Sequence, residues 1–267
     1  MIPRLVVIRG AGDLATGVAH RLWQSGFELV MLELKQPLVV RRTVSFATAV
    51  FQKNITVEGV RAELCPTAED VPGYHGRSIV PVLVDPEAAS LDALQPKILI
   101  DATMAKGNRI TKIKDAELVI GLGPGFTAGV DVDAVVETNR GHALGRVIDE
   151  GSAASDTGEP GNIAGYGKER ILRAPIDGLL KPVKEIGELV AKGEIVATVE
   201  GTPIRAQISG LVRGMLYPDL FITAGTKVGD IDPRGAEVDF LAISDKARAI
   251  GGGVLEAILN RYNRVEE

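Results

Sequence analysis

Thiols are nearly absent from this chain. Cys65 is its one cysteine, which excludes an intramolecular disulfide and fits a reducing compartment. Histidine is as scarce: His20, His75 and His142 stand too far apart to form a local ligand motif, so no metal site is expected. No block of consecutive basic residues occurs and the formal net charge is -5, so the usual footprint for nucleic acid or an anionic membrane is missing. No apolar run reaches the roughly 20 residues of a spanning helix. The start of the chain passes directly into Leu5-Val6-Val7-Ile8, without the basic start and longer apolar core of a signal peptide. A cytoplasmic protein with small-molecule or protein partners is expected, and homo-oligomer formation is left open. Aromatic residues make up only 4% of the chain, whereas glycine supplies 31 of 267 residues, so tight turns and close backbone approach matter more than bulky packing.

Those glycines fall at defined points. Leu5–Ile8 reads as a parallel strand buried on both faces. It leads into Gly10-Ala11-Gly12-Asp13-Leu14-Ala15, where Gly10 and Gly12 permit a tight turn beside a phosphate and Ala15 lets a helix lie close to the strand. Glu33 closes the next strand 21 residues after Gly12, where a carboxylate can accept hydrogen bonds from a ribose diol. Asp13 fits the pattern less well, because a carboxylate repels pyrophosphate, and its plainer role is stabilising the helix N-terminus. Lys35, Arg41 and Arg42 leave NAD against NADP open. Further strands end at Asp85 and Asp101, and Asp101, Thr103 and the Lys106-Gly107-Asn108 loop are expected at the carboxyl edge of the sheet.

Another strand, Ala116–Ile120, is followed by Gly121-Leu122-Gly123-Pro124-Gly125-Phe126. Glycines at 121, 123 and 125 can expose backbone amides as an anion nest. Asn139-Arg140-Gly141-His142 then gathers a donor, a cation and an imidazole. His142 is the general acid/base candidate and Arg140 the candidate anion clamp, giving catalytic candidates His142 and Arg140. The nucleotide or cofactor candidates are Gly10, Gly12, Asp13, Ala15, Glu33, Gly121, Gly123 and Gly125.

Beyond a Gly/Ser/Ala-rich stretch from Gly151 to Gly167, the chain repeats itself. Ala174-Pro175-Ile176-Asp177-Gly178-Leu179 returns 32 residues later as Ala206-Gln207-Ile208-Ser209-Gly210-Leu211, and Gly193 returns as Gly225. The two copies resemble halves of a biotinyl/lipoyl-type barrel, but no lysine occurs between Lys192 and Lys227 to carry a swinging arm. The expected fold is therefore α/β: a Rossmann-like parallel sheet over residues 1–160, a β-rich barrel-sandwich hybrid over 168–235, and a C-terminal helical segment over 236–267. Gly251-Gly252-Gly253 predicts a break or a close backbone contact in that segment, since each glycine costs about 1 kcal/mol in a helix interior.

The segment Glu117–Ile148, with Gly121–Phe126 and Glu137–Arg146, resembles the selenium-dependent molybdenum hydroxylase system proteins of the YqeB type. So do Thr157-Gly158-Glu159-Pro160-Gly161 and Ile243–Gly253. The resemblance extends along nearly the whole chain, and its amino-terminal part is similar to accessory proteins of xanthine dehydrogenase. It implies an accessory role in maturing a molybdenum hydroxylase, with that enzyme or its maturation machinery as partner and a molybdopterin dinucleotide or NAD(P) as ligand. It supplies no catalytic residue, and Cys65 lies in no evident chalcogen-delivery context. An NAD(P)-dependent oxidoreductase using His142 or Lys106 stays open beside it, as does a non-enzymatic scaffold; whether the chain is an enzyme is undecided at this level.

Overall fold

A computed structural model describes residues 2–105, 110–156, 158 and 161–263. The chain divides into two compact units, one comprising Met1–Pro37, Ser45–Asp156 and Ile243–Glu267, the other Leu38–Val44 and Thr157–Ala242. Among the described residues no helix is long and apolar enough to cross a membrane.

The first unit is built on β1 (Leu5–Arg9), β2 (Glu28–Glu33), β3 (Asn54–Val57), β4 (Val60–Cys65), β5 (Val80–Val84), β6 (Ile98–Asp101), β7 (Leu118–Leu122), β8 (Ala134–Val136) and β9 (Val147–Ile148). They form one sheet in the order β3-β4-β5-β2-β1-β6-β7-β8-β9. Val6, Val7, Ile8, Ile98, Leu99 and Ile100 are fully buried, each such side chain contributing about 1.5–3 kcal/mol of transfer free energy. Its helices are α1 (Asp13–Gln24), α2 (Thr48–Gln52), α3 (Val71–His75), α4 (Leu91–Leu94) and α5 (Asp245–Asn263).

This arrangement corrects the expected Rossmann-like parallel domain. The sheet is mixed, because β3 runs antiparallel to β4 and β9 antiparallel to β8. Among the described residues only α1 and α5 exceed five residues, so two layers of crossover helices are not present. The physical reason is local. The β7–β8 connection carries Gly123, Pro124, Gly125 and Gly129, residues that oppose helix formation.

The C-terminal helical segment is one continuous helix, α5, within the first unit. The triple glycine does not break it, because close contact replaces the lost propensity. A Cβ at Gly251 would lie 3.0 Å from the Gly17 carbonyl oxygen, one at Gly253 would collide with the Gly145 carbonyl oxygen, and one at Gly17 would lie 2.5 Å from the Ala247 Cβ.

The second unit holds β10 (Ile171–Arg173), β11 (Gly178–Pro182), β12 (Leu189–Val190), β13 (Ile195–Val199), β14 (Thr202–Arg205), β15 (Gly210–Met215), β16 (Phe221–Ile222) and β17 (Lys227–Asp232). These make two separate four-stranded sheets, β10-β17-β15-β12 and β14-β13-β11-β16, with antiparallel pairing. The expected biotinyl/lipoyl-like barrel-sandwich hybrid is corrected accordingly: the ladders do not join into a barrel, and β12 and β16 are only two residues each. The duplication is nevertheless visible in the pairing. Shifting β10, β11, β12 and β13 by 32 residues lands on β14, β15, β16 and β17, and the same exchange turns one sheet order into the other. Each sheet takes strands from both copies, so neither copy closes a sheet alone.

Candidate functional site

The parallel strands of the first unit bring β1, β2, β6, β7 and β8 to one carboxyl edge. At the end of β1 the chain turns at Gly10, whose φ of +89° is the left-handed region that glycine tolerates. The Gly10 amide donates to the Leu32 carbonyl at 2.7 Å, and a Cβ here would lie 3.0 Å from the Ala102 carbonyl oxygen. Gly12 is the N-cap of α1 and offers no side-chain cap, leaving the first-turn amides as the positive end of a 12-residue helix. Asp13 lies in that first turn, and Ala15 is buried beneath it.

Glu33 reaches this turn, though not as a free ribose acceptor. Its Oε1 accepts from the Ala11 amide at 3.0 Å and its Oε2 from the Leu34 amide at 2.5 Å. Burial pushes its carboxyl above the ordinary value despite the two amide donors. Glu33 therefore braces the glycine turn against β2. The Ala11 carbonyl is also occupied, by the Ala47 amide at 2.8 Å.

Asp101, at the end of β6, is buried in a polar knot. It accepts from Arg9 Nη1 at 2.9 Å and from the hydroxyls of Thr111 at 2.5 Å and Thr103 at 2.6 Å, while Arg9 also donates to Thr111. Its acceptor capacity is spent inside the fold. Lys106-Gly107-Asn108 lies outside the described residues.

Gly121, within β7, and Gly123, in the turn after it, are held by packing. A Cβ at Gly121 would lie 2.5 Å from Cγ of Phe126, so this position is glycine because the ring lies on the strand. Gly123 has φ +71°, gives its amide to the Val136 carbonyl at 2.9 Å, and leaves no room for a Cβ beside Thr138. Gly125 has φ +106° in the same turn. The Gly123 amide is thus already committed, and the three glycines do not form a row of open donors.

At the end of β8, buried Glu137 accepts from the amides of Asn139 at 2.6 Å and Ala154 at 2.7 Å. Arg140 forms a bidentate pair with Asp245 at 2.8 and 3.1 Å. His142 is exposed and makes no side-chain hydrogen bond or ion pair with the described residues. Lys246, absent from the sequence-based candidates, occupies the first turn of α5 beside Asp245. Burial lowers its ammonium below the ordinary value; Arg140 adds to that effect, while Asp13, Glu137 and Asp156 oppose it. These influences gather Asp13, Glu137, Arg140, Asp156 and Lys246 into one electrostatic neighbourhood. The Ser244 hydroxyl caps α5 by accepting from the Ala247 amide at 3.1 Å. A lysine 233 positions after Asp13 carries no local motif, so no sequence signal links the two.

A helix N-terminus with a glycine cap and a lysine nearby suits a phosphate or carboxylate, while the surrounding carboxylates suit hydroxyl or amino donors on the same ligand. Among the described residues no three His, Cys, Asp or Glu side chains group as metal ligands. Cys65 is buried, donates its S–H to the Thr67 carbonyl at 3.1 Å, and has its thiol pushed up to about 11, mainly by burial. That is the environment of an inert thiol.

No protein-family model matches the chain. Solved structures similar to it include a succinylglutamate desuccinylase/aspartoacylase from Rhodobacter sphaeroides, at 13% identity with 86% of each chain covered and a TM-score of 0.27. Another is an aspartoacylase family protein from Mesorhizobium loti, at 9% identity, covering 86% of this chain and 52% of that one, with a TM-score of 0.22. At these scores the likeness supplies no activity for this chain. In sequence, the chain is 50% identical over 256 residues to the Escherichia coli protein YqeB, described as uncharacterized; the match takes in 96% of this chain and 47% of YqeB. The chain thus spans about half the length of that relative, and over that half it is a homologue of YqeB.

Proposed function

We propose that this chain is an accessory protein in the maturation of a molybdenum hydroxylase, and that it holds a nucleotide-containing ligand by a phosphate at the first turn of α1. The observation that carries the binding reading is the glycine-capped N-terminus of α1, turned by Gly10, braced by Glu33 and neighboured by Lys246. Gly10 and Gly12 keep side chains out of the phosphate's path, Ala15 lets α1 lie low, and Lys246 neutralises charge that Asp13 alone would repel. The partner reading rests on the segments that resemble selenium-dependent molybdenum hydroxylase system proteins. Gly121–Phe126 spans the end of β7 and the turn after it, Glu137–Arg146 follows β8, and Ile243–Gly253 carries Lys246 and meets Gly17 and Gly145.

A molybdopterin dinucleotide fits the proposal as ligand, and NAD(P) is the competing one. Calorimetric titration with NAD, NADP, CTP and molybdopterin cytosine dinucleotide tests it. Tight binding of the pterin dinucleotide, lost in Gly12→Asp, is the expected result. Preferential NAD(P) binding would favour an oxidoreductase, with His142 or Lys106 as the candidate for proton transfer. No binding to any of the four would leave a scaffold.

A further inference from the structure

A groove of about 380 Å³ lies in the second unit, and its lining follows the internal duplication. Leu172, Arg173 and Pro175 border it from the first copy; 32 residues on, Ile204, Arg205 and Gln207 border it from the second. The groove thus straddles the relation between the copies. The two arginines are fixed in the same way. Arg173 Nη1 donates to the Gly225 carbonyl at 2.8 Å, and Arg205 Nη1 donates to the Gly193 carbonyl at 2.9 Å. Gly193 and Gly225 are themselves 32 residues apart, so each guanidinium is anchored on the other copy's turn.

The charged residues among its described lining are all basic. Lys168 also borders the groove, and no Asp or Glu is among its described lining residues, although acidic residues outnumber basic ones in the chain, 35 to 30. Neither arginine forms an ion pair with a described residue, and one N–H of the five on each guanidinium is spent on a carbonyl. Leu172 and Ile204, 1% and 5% exposed, belong to the core beneath the groove. Two equivalent cations lining one groove match a ligand with two anionic groups. The volume falls in the range of small-molecule sites, about 300–1,000 Å³.

We propose that this groove binds a small dianion, one anionic group facing Arg173 and the other Arg205. Guanidinium geometry favours carboxylate or phosphate, both of which it can hold through paired N–H donors. This groove belongs to the second unit, whereas the first turn of α1 belongs to the first.

The test is a titration of the full chain with succinate, glutarate, adipate and pyrophosphate, with acetate as the monoanion control, followed by backbone amide shifts. The expected result is saturable binding of at least one dianion, with acetate weaker by about tenfold or more. Shifts should centre on residues 171–175 and 203–207. Carboxylate or phosphate ends are told apart by whether the dicarboxylates or pyrophosphate bind more tightly. Arg173→Gln and Arg205→Gln should weaken binding to a similar extent, and the charge-retaining Arg173→Lys and Arg205→Lys should lose less. Failure of every dianion to bind, acetate binding as well as the dianions, shifts located elsewhere, or unchanged affinity in an Arg173→Gln, Arg205→Gln double variant would each overturn the proposal. If the glutamine variants fail to fold, the lysine pair and the acetate comparison decide it.

Discussion

Three consecutive glycines in α5 give two opposite predictions. At Gly252 an added Cβ meets nothing within 4 Å, so Gly252→Ala gains helix propensity, about 1 kcal/mol, with no steric cost. Gly253→Ala gains the same propensity but drives its methyl into the Gly145 carbonyl oxygen and within 2.9 Å of Val136 Cγ1. The blocking atom is backbone, which cannot rotate away. Overpacking of this kind costs about 1–3 kcal/mol, and this contact is severe enough for the upper end. The difference between the two variants removes the shared propensity gain and isolates the clash: Gly253→Ala should be less stable than Gly252→Ala by about 2–3 kcal/mol. Urea denaturation followed by far-ultraviolet circular dichroism reads it, with the wild type between the two variants. Equal stabilisation by both alanines would refute the close approach of α5 to the β8–β9 hairpin, and with it the positioning of Lys246.

Other consequences are equally direct. Cys65 should resist a thiol reagent in the folded protein and react once denatured. Because its folded thiol titrates at about 11 against 9.0 for the free group, the folded state holds its proton longer, so this contribution to stability is lost as pH rises from 9.0 towards 11. Lys246 has the opposite sign: its lowered folded value means the unfolded state binds more protons below 10.5, so stability should rise with pH in that window, and Lys246→Met should flatten the slope measured by urea midpoints. Glu33→Ala removes the acceptor for the Ala11 and Leu34 amides, for a loss of about 1–3 kcal/mol per amide left buried without a partner; an unchanged denaturation midpoint would contradict its role as brace.

What was legible in the sequence depended on range. The β1 strand, the turn at Gly10 and helix α1 are contiguous, and apolar runs and spacing reveal them. The 32-residue repeat was equally plain, although only the pairing pattern showed that each sheet mixes strands of both copies. Glu33 stood out as an acid at the right distance, but its partners are main-chain amides, which have no sequence signature. Gly121 looked like part of an anion nest because Phe126, five residues on, gives no sign that its ring folds back over the strand. The triple glycine predicts a break or a close backbone contact; the contact is what forms, but its partners Gly17 and Gly145 lie more than a hundred residues away and leave no local signal. Lys246 was missed for the same reason, and the parallel-sheet expectation erred at the antiparallel strands β3 and β9.

The central claim is that a nucleotide-containing ligand occupies the first turn of α1. Native mass spectrometry of the protein purified gently from its own cells tests it most directly. The expected result is an added mass that fragments to a nucleotide and is missing from Gly12→Asp protein of unchanged stability. Ligand-free wild-type protein, or a Gly12→Asp protein that retains the same added mass, would contradict it.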